Sequence, residues 1–264
     1  MFKPTATAFF KATMLAGAVA LSHTASAGRV ILNHDEWTLT DQGFSVATPS
    51  TTNFATNLAS FMNVNGGGCS LLVYSNNFGL TGSSLNSALT GAGCSVTYST
   101  GAFDLATLSG FDGVLLSGAQ LSYDAAVLTT YVNNGGSAYI AAGTGATVAE
   151  EGTAWDSFTD AFGLDFGPSY NGIIGNLTMT SGDPLLAGVS QLFFNNGNTV
   201  GLFGSNPDAR IIAVESGTGS PGLIGVYDHD SRRVTPAVAV PEPATLALLG
   251  VGLAGLGFGR RRSR

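Results

Sequence analysis

The feature that most constrains this chain is an alternation. Short apolar runs trade places with helical patterns, and glycine-rich turns stand between them. The runs Arg29–Asn33, Ser70–Ser75, Ser95–Tyr98, Phe111–Leu116 and Ala138–Ala142 have strand length. Several are apolar throughout, as strands buried on both faces of a parallel sheet are. Between them lie helical spacings. Phe54, Leu58, Phe61 and Met62 recur at i, i+4, i+7 and i+8 within Asn53–Val64. A helix from Ser83 or Ser84 aligns Leu85, Ala88, Leu89 and Ala92 and stops at Gly91 or Gly93. Another, from Ser122, aligns Leu121, Ala125, Leu128 and Val132 and stops at Asn133-Asn134-Gly135-Gly136. A last helix holds Trp155, Phe158 and Phe162. Parallel strands need crossovers of one hand, and those put helices on both faces. From Ile173 onward the runs shorten: Asn176–Met179, Gln191–Phe194, Thr199–Phe203, Arg210–Val214 and Leu223–Tyr227. Gly, Asn and Pro punctuate them, which reads as strands and hairpins that extend or flank the same sheet. The expected fold class is α/β, a single doubly wound, mostly parallel sheet with a β-rich C-terminal half. No clean linker divides it.

The charge of the chain is scarce and unevenly placed. Charged residues are 10% of the 264 residues, against roughly 25% in ordinary soluble domains. Lys3 and Lys11 precede the apolar stretch Met14–Leu21, and small residues lead to Ala25-Ser26-Ala27. A basic start, a short apolar core and an A-x-A site make a secretory signal peptide over 1–27, read by Ala25 and Ala27 and cut by signal peptidase. A buried N-terminal helix is the alternative. The segment 28–231 is the folded body and 232–239 a flexible linker. Between Gly28 and Ala239 the chain has four bases, Arg29, Arg210, Arg232 and Arg233, against sixteen acids, for a net −12. That excludes nucleic acid as a partner and leaves room for cations.

The C-terminus reads Val240-Pro241-Glu242-Pro243-Ala244-Thr245-Leu246, then an apolar run to Phe258, then Arg260-Arg261-Arg262-Ser263-Arg264. As a helix, 244–258 would reach about 22 Å, short of the ~30 Å hydrocarbon core. Its glycines weaken it in water; a bilayer and the snorkelling tail 260–264 would hold it, with the arginines on the cytoplasmic side and the body outside. This tail, 240–264, resembles the PEP-CTERM sorting signal of Gram-negative bacteria. The resemblance implies a transient inner-membrane anchor recognised by an exosortase, a membrane-embedded cysteine transpeptidase. That enzyme would cut near Pro241-Glu242-Pro243 and pass the body to the cell surface or the extracellular medium. It also implies a link to exopolysaccharide and biofilm. A plain membrane anchor is the alternative.

Cys69 and Cys94 each follow a glycine-rich turn and each open a strand-like run. Export places them in an oxidising compartment. If those strands are parallel neighbours, both thiols lie at one end of the sheet and a disulfide is geometrically reasonable. Two buried free thiols are the alternative. Neither cysteine stands at the carboxyl end of a strand, where a nucleophile would be expected.

The segment from Cys69 to Gly145 resembles the class I glutamine amidotransferase-like, flavodoxin-like fold. The likeness rests on Leu71–Tyr74, on Phe111-Asp112-Gly113-Val114-Leu115-Leu116-Ser117-Gly118 and on Tyr131–Ile140. Asp183-Pro184-Leu185-Leu186-Ala187-Gly188-Val189 adds a short turn of the same group. Catalytic members of the group run the strand ending at Ala142 into a nucleophile elbow. Here Gly143 stands where the cysteine should be, and glycine has no nucleophile. Thr144 would need an activating base, and Asp228-His229-Asp230 does not match the expected His-x-Glu spacing. The body is therefore expected to be non-catalytic.

Open α/β sheets bind ligands at the carboxyl ends of their strands. Asn76, Asn77, Ser117, Gly118, Gln120 and Thr144 are expected to share that edge, where their amides and hydroxyls suit neutral polar ligands such as sugars; ordinary loop chemistry is the competing reading. A phosphate-binding loop is excluded, since no Lys follows any glycine-rich turn. Asn33-His34-Asp35-Glu36-Trp37 is the densest polar cluster. Trp37 suits stacking on a sugar ring, and Asp35 and Glu36 suit a carboxylate-dependent glycan hydrolase. Three consecutive residues rarely converge on one metal, so a metal would need Asp228, His229 or Asp230 as well, and no metal or cofactor is expected. Glu150-Glu151, with Asp156 and Asp160, reads as a solvated acidic helix start.

Overall fold

The computed structural model of the chain describes residues 28–229, apart from 65, 118–121, 146–147 and 217–219. The expected signal peptide (1–27) and linker (232–239) and the C-terminal tail 240–264 lie outside the described residues, and so do Gly118, Gln120 and Asp230. Among the described residues no helix is long and apolar enough to cross a membrane.

Five strands run parallel: β1 (Arg29–Asn33), β2 (Cys69–Tyr74), β3 (Cys94–Tyr98), β4 (Gly113–Ser117) and β5 (Ser137–Ala141). Their spatial order is β3-β2-β4-β5-β1. The chain moves outward from β2 to β3, then crosses back to β4, so the order reverses between β2 and β4. β4 and β5 are buried at every position, which is why their sequences carry no polar alternation. β3, at the edge, exposes most of its residues.

Helices α1 (Asp41–Val46), α2 (Ser50–Met62) and α3 (Ser83–Gly91) cover one face. There Phe54, Leu58 and Met62 pack with Ile31, Leu71 and Val73. Helices α4 (Leu105–Leu108), α5 (Ala125–Asn133) and α6 (Val148–Thr159) cover the other. There Leu128, Val132, Trp155 and Phe158 meet Val30, Leu72 and Val114. α5 starts at Ala125 rather than Ser122, because the Asp124 carboxylate accepts the N–H groups of Ala126 and Val127 and fixes the first turn there.

The second half is antiparallel. It contains β6 (Leu164–Tyr170), β7 (Ile174–Thr178), β8 (Gln191–Asn195), β9 (Asn198–Leu202), β10 (Ala209–Val214) and β11 (Gly222–Asp228). β11 pairs antiparallel with β1, β10 lies along β11, and β9 joins β11 to β6. β7 and β8 form a separate hairpin packed on the α1–α3 face. The expectation of a mostly parallel sheet is corrected: among the described residues the large sheet holds four parallel and four antiparallel pairings. β10 and β11 follow one another across a short connection that leaves no room for a crossover helix, so this pair can only return antiparallel.

Cys69 and Cys94 are register partners on β2 and β3. They are bonded to each other, with Cα atoms 4.4 Å apart. Their separation of 25 residues makes closure of that loop worth about 3.5 kcal/mol in the chain-entropy treatment.

The parallel strands give the sheet two distinct edges. β1, β2, β4 and β5 end together at the carboxyl edge. β11 runs the other way, so Gly222 lies at that edge and Asp228, the register partner of Arg29, at the opposite, amino edge.

Candidate functional site at the carboxyl edge

Where β1 ends, Asn33 donates its side-chain amide to the Tyr139 hydroxyl at 2.9 Å. The chain then runs into the fully buried His34. The Asn171 amide meets His34 Nδ1 at 3.0 Å, and the ring lies 4.4 Å from that of Phe194. Burial pushes the imidazole down to about 3, so it is neutral at pH 7.

Asp35 caps the start of a short 3-10 turn at Glu36–Leu39. One carboxylate oxygen accepts the Trp37 N–H at 2.7 Å; the other accepts the Asn195 N–H. Burial still raises Asp35 to about 6, against those two bonds and with Glu151 adding to the rise. Glu36 is pushed further, to about 8, by burial first and then by Asp35 and Glu151; a hydrogen bond with the Asn77 side chain opposes the shift. Its Oε2 is buried without a partner. At pH 7 Glu36 is thus a neutral acid.

Glu151 completes the cluster. It is 0% exposed and reaches back from α6 to the turn after β5. Its carboxylate accepts the Thr144 N–H at 3.0 and 3.2 Å and the Thr144 hydroxyl at 2.7 Å. Burial raises its pKa. The solvated helix start expected at Glu150-Glu151 is therefore wrong for Glu151. Tyr170, at the end of β6, faces the same charges: burial raises its hydroxyl first, then Glu151, Glu36 and Asp35.

The elbow after β5 is occupied by the protein itself. Gly143 has φ +79°, and a Cβ there would lie 3.0 Å from Gly197 Cα and 3.4 Å from Asp35 Cα. A side chain at this position would press on the backbone of Gly197, His34 and Asp35, which leaves a nucleophile little room. The Thr144 hydroxyl donates to Glu151, not to a histidine. Asp228 and His229 cannot join either group. Asp228 is paired with Arg29 at the amino edge, at 3.1 Å, and His229 with Asp208, at 2.8 Å. Four residues of strand separate that register from Asn33, or about 13 Å. Among the described residues no group of three His, Cys, Asp or Glu is placed to hold a metal ion.

The other expected contacts are partly assembled. Ser75 donates its hydroxyl to the Ser117 carbonyl at 3.2 Å and accepts the Asn77 N–H at 3.0 Å, which ties the ends of β2 and β4 together. The Ser117 hydroxyl is buried without a partner. Asn76 is exposed. Trp37 is half-buried and meets Phe78 edge-on at 5.0 Å, with Phe78 49% exposed. Toward β3 the edge opens into a shallow cleft of about 760 Å³ beside Tyr74, Phe103 and Tyr123. The sequence reading missed Glu151 and Tyr170 as members of the site; nothing local in either segment marks them.

Compared with known proteins, residues 239–263 match the PEP-CTERM protein-sorting motif. No curated protein and no solved structure matches the chain. The motif marks the chain as an exported protein, held transiently at the membrane and processed by an exosortase.

Proposed function

We propose that this chain is the precursor of a non-catalytic cell-surface or matrix protein whose C-terminal motif is exchanged or released by an exosortase. The matched tail at 239–263 carries the reading. The order of its parts supports it: a signal-like start, a body, a short linker, the Val240-Pro241-Glu242-Pro243 segment, an apolar run and Arg260–Arg262. The disulfide suits an oxidising destination. A Gram-negative host and an association with exopolysaccharide follow from the resemblance of the tail.

The body fits a degenerate amidotransferase-like sheet. The order β3-β2-β4-β5 is that of a doubly wound sheet with its switch point between β2 and β4, and Gly143 keeps the positive φ of a strand-end elbow. Hydrolysis of glycans needs two carboxyl groups facing a substrate. Asp35 and Glu151 both spend their oxygens on N–H or O–H donors of the protein, and only Glu36 keeps a free one. That favours a non-catalytic body over a carboxylate hydrolase.

The test is fractionation of cells with and without the exosortase. With the enzyme, the protein is expected in the surface fraction. Without it, full-length chain is expected to accumulate in the inner membrane. Identical distribution in both strains would defeat the reading.

A further inference from the structure

At the amino edge a groove of about 460 Å³ opens beside α2 and the 184–186 turn. Its apolar lining is made by Phe61 and Pro184, with Leu185 fully buried behind them. Arg29 and Arg210, the only two Arg or Lys residues among the described residues, both line it. Each is held in place. Arg29 donates Nε to Asp228 at 3.1 Å and Nη1 to the Phe61 carbonyl at 2.7 Å, and its guanidinium lies 4.5 Å from the centre of the Phe61 ring. Arg210 donates Nε and Nη2 to one Asp183 oxygen, at 3.1 and 2.7 Å. The other Asp183 oxygen accepts the Leu185 N–H at 3.0 Å, so the acid and the turn that carries it are fixed together. Asn57 donates its amide to the carbonyls of Leu185 and Ala187, which leaves its carbonyl oxygen as an acceptor.

We propose that this groove binds one or two units of an uncharged oligosaccharide. Its volume lies in the range of small-molecule sites, and an apolar floor with a few convergent polar groups is their usual composition. Two guanidinium groups cancel two carboxylates here, so the groove favours an occupant without net charge. The net −12 of the body repels polyanions at longer range. Fixed guanidinium and carboxylate forks offer adjacent donors and acceptors that suit neighbouring hydroxyl groups. The apolar floor suits the C–H face of a sugar ring. Because the arginines are already locked, little side-chain entropy is lost on binding. The groove lies beside the end of β11, at Asp228. The source of the glycan, the surface matrix, rests on the function proposed above; the binding itself does not.

The experiment is calorimetric titration of the full chain in a sugar-free zwitterionic detergent. The probes are cellotetraose, maltotetraose and mannotetraose, with tetragalacturonate as the charged counterpart. At least one neutral tetrasaccharide is expected to bind. Ser60→Trp, at an exposed position lining the groove, and Arg210→Ala are each expected to weaken it by about tenfold or more, while Val46→Ala, exposed and outside the groove, leaves it unchanged. Binding of none of the neutral probes, preference for tetragalacturonate, or binding that survives both groove variants would overturn the proposal. Loss of binding with normal exosortase processing removes the groove alone; binding without processing removes the sorting reading alone.

Discussion

The two edges of the sheet neutralise charge in different ways. At the carboxyl edge Asp35, Glu36 and Glu151 are withdrawn from water. Backbone N–H groups and protonation, not basic side chains, make that burial tolerable. At the amino edge Arg29 and Arg210 stay partly exposed and are matched by Asp228 and Asp183. The strand-end rule directs attention to the carboxyl edge. Yet around β1 and β5 the protein fills that edge with its own turn and acids and leaves it open only toward β3, and a groove with both arginines lies at the other end. Position in a fold nominates a site, but the side chains decide whether it is free to take a ligand.

The sharpest way to break this contrast is to put a side chain back at the elbow. Gly143→Cys combines a positive φ with contacts at 3.0–3.4 Å. It is expected to destabilise the body by about 2–4 kcal/mol in urea unfolding and to confer no amidase activity. A stable, active variant would mean that the elbow is not filled.

The second effect is on pH. Glu36 binds its proton more tightly when folded, near pH 8 against 4.5 for an ordinary glutamate. The native state therefore holds a proton that the unfolded chain has lost, and stability declines as pH rises from 4.5 through 8. His34 works in the opposite sense: its folded pKa is near 3, so its contribution is lost as pH falls below 6.5. Above pH 6.5 His34 is neutral in both states and Asp35 mostly ionised, which leaves Glu36 dominant. Glu36→Gln is expected to flatten the decline between pH 6.5 and 8, by roughly 2 kcal/mol. An unchanged pH profile would remove Glu36 from the account.

Smaller effects are expected at the groove. Arg29→Ala loses an ion pair, a hydrogen bond to Phe61 and the ring contact, for about 1–2 kcal/mol. Arg210→Ala loses a more exposed pair, for about 0.5 kcal/mol that salt reduces further. Equal losses in the two variants, unaffected by salt, would contradict the difference drawn between them.

Much of the fold could be read from local pattern. Continuous apolar runs located β2, β4 and β5, and the glycine-rich turns before Cys69 and Cys94 placed each residue at the start of a strand; that the two strands are neighbours comes from the fold. The vacancy at Gly143 was visible as a missing side chain. What could not be read depends on contacts between distant segments. Glu150-Glu151 has the composition of an exposed helix start, and Glu151 becomes a buried partner of Thr144 only because α6 folds back on the turn after β5. Asp228 and His229 looked available to the Asn33–Trp37 cluster until the antiparallel register of β11 sent them to the other edge. The groove draws on residues at 29, 57–61, 184–185, 210 and 228, a set that no single window of sequence displays.

The central claim, that the chain is an exported precursor trimmed at its C-terminal motif, is tested most directly by the intact mass of the protein recovered from the cell surface. The expected mass corresponds to a chain that begins near Gly28 and ends within Val240–Ala244, with the Cys69–Cys94 bond reducing it by two hydrogens. A surface form that retains Arg264 would contradict it.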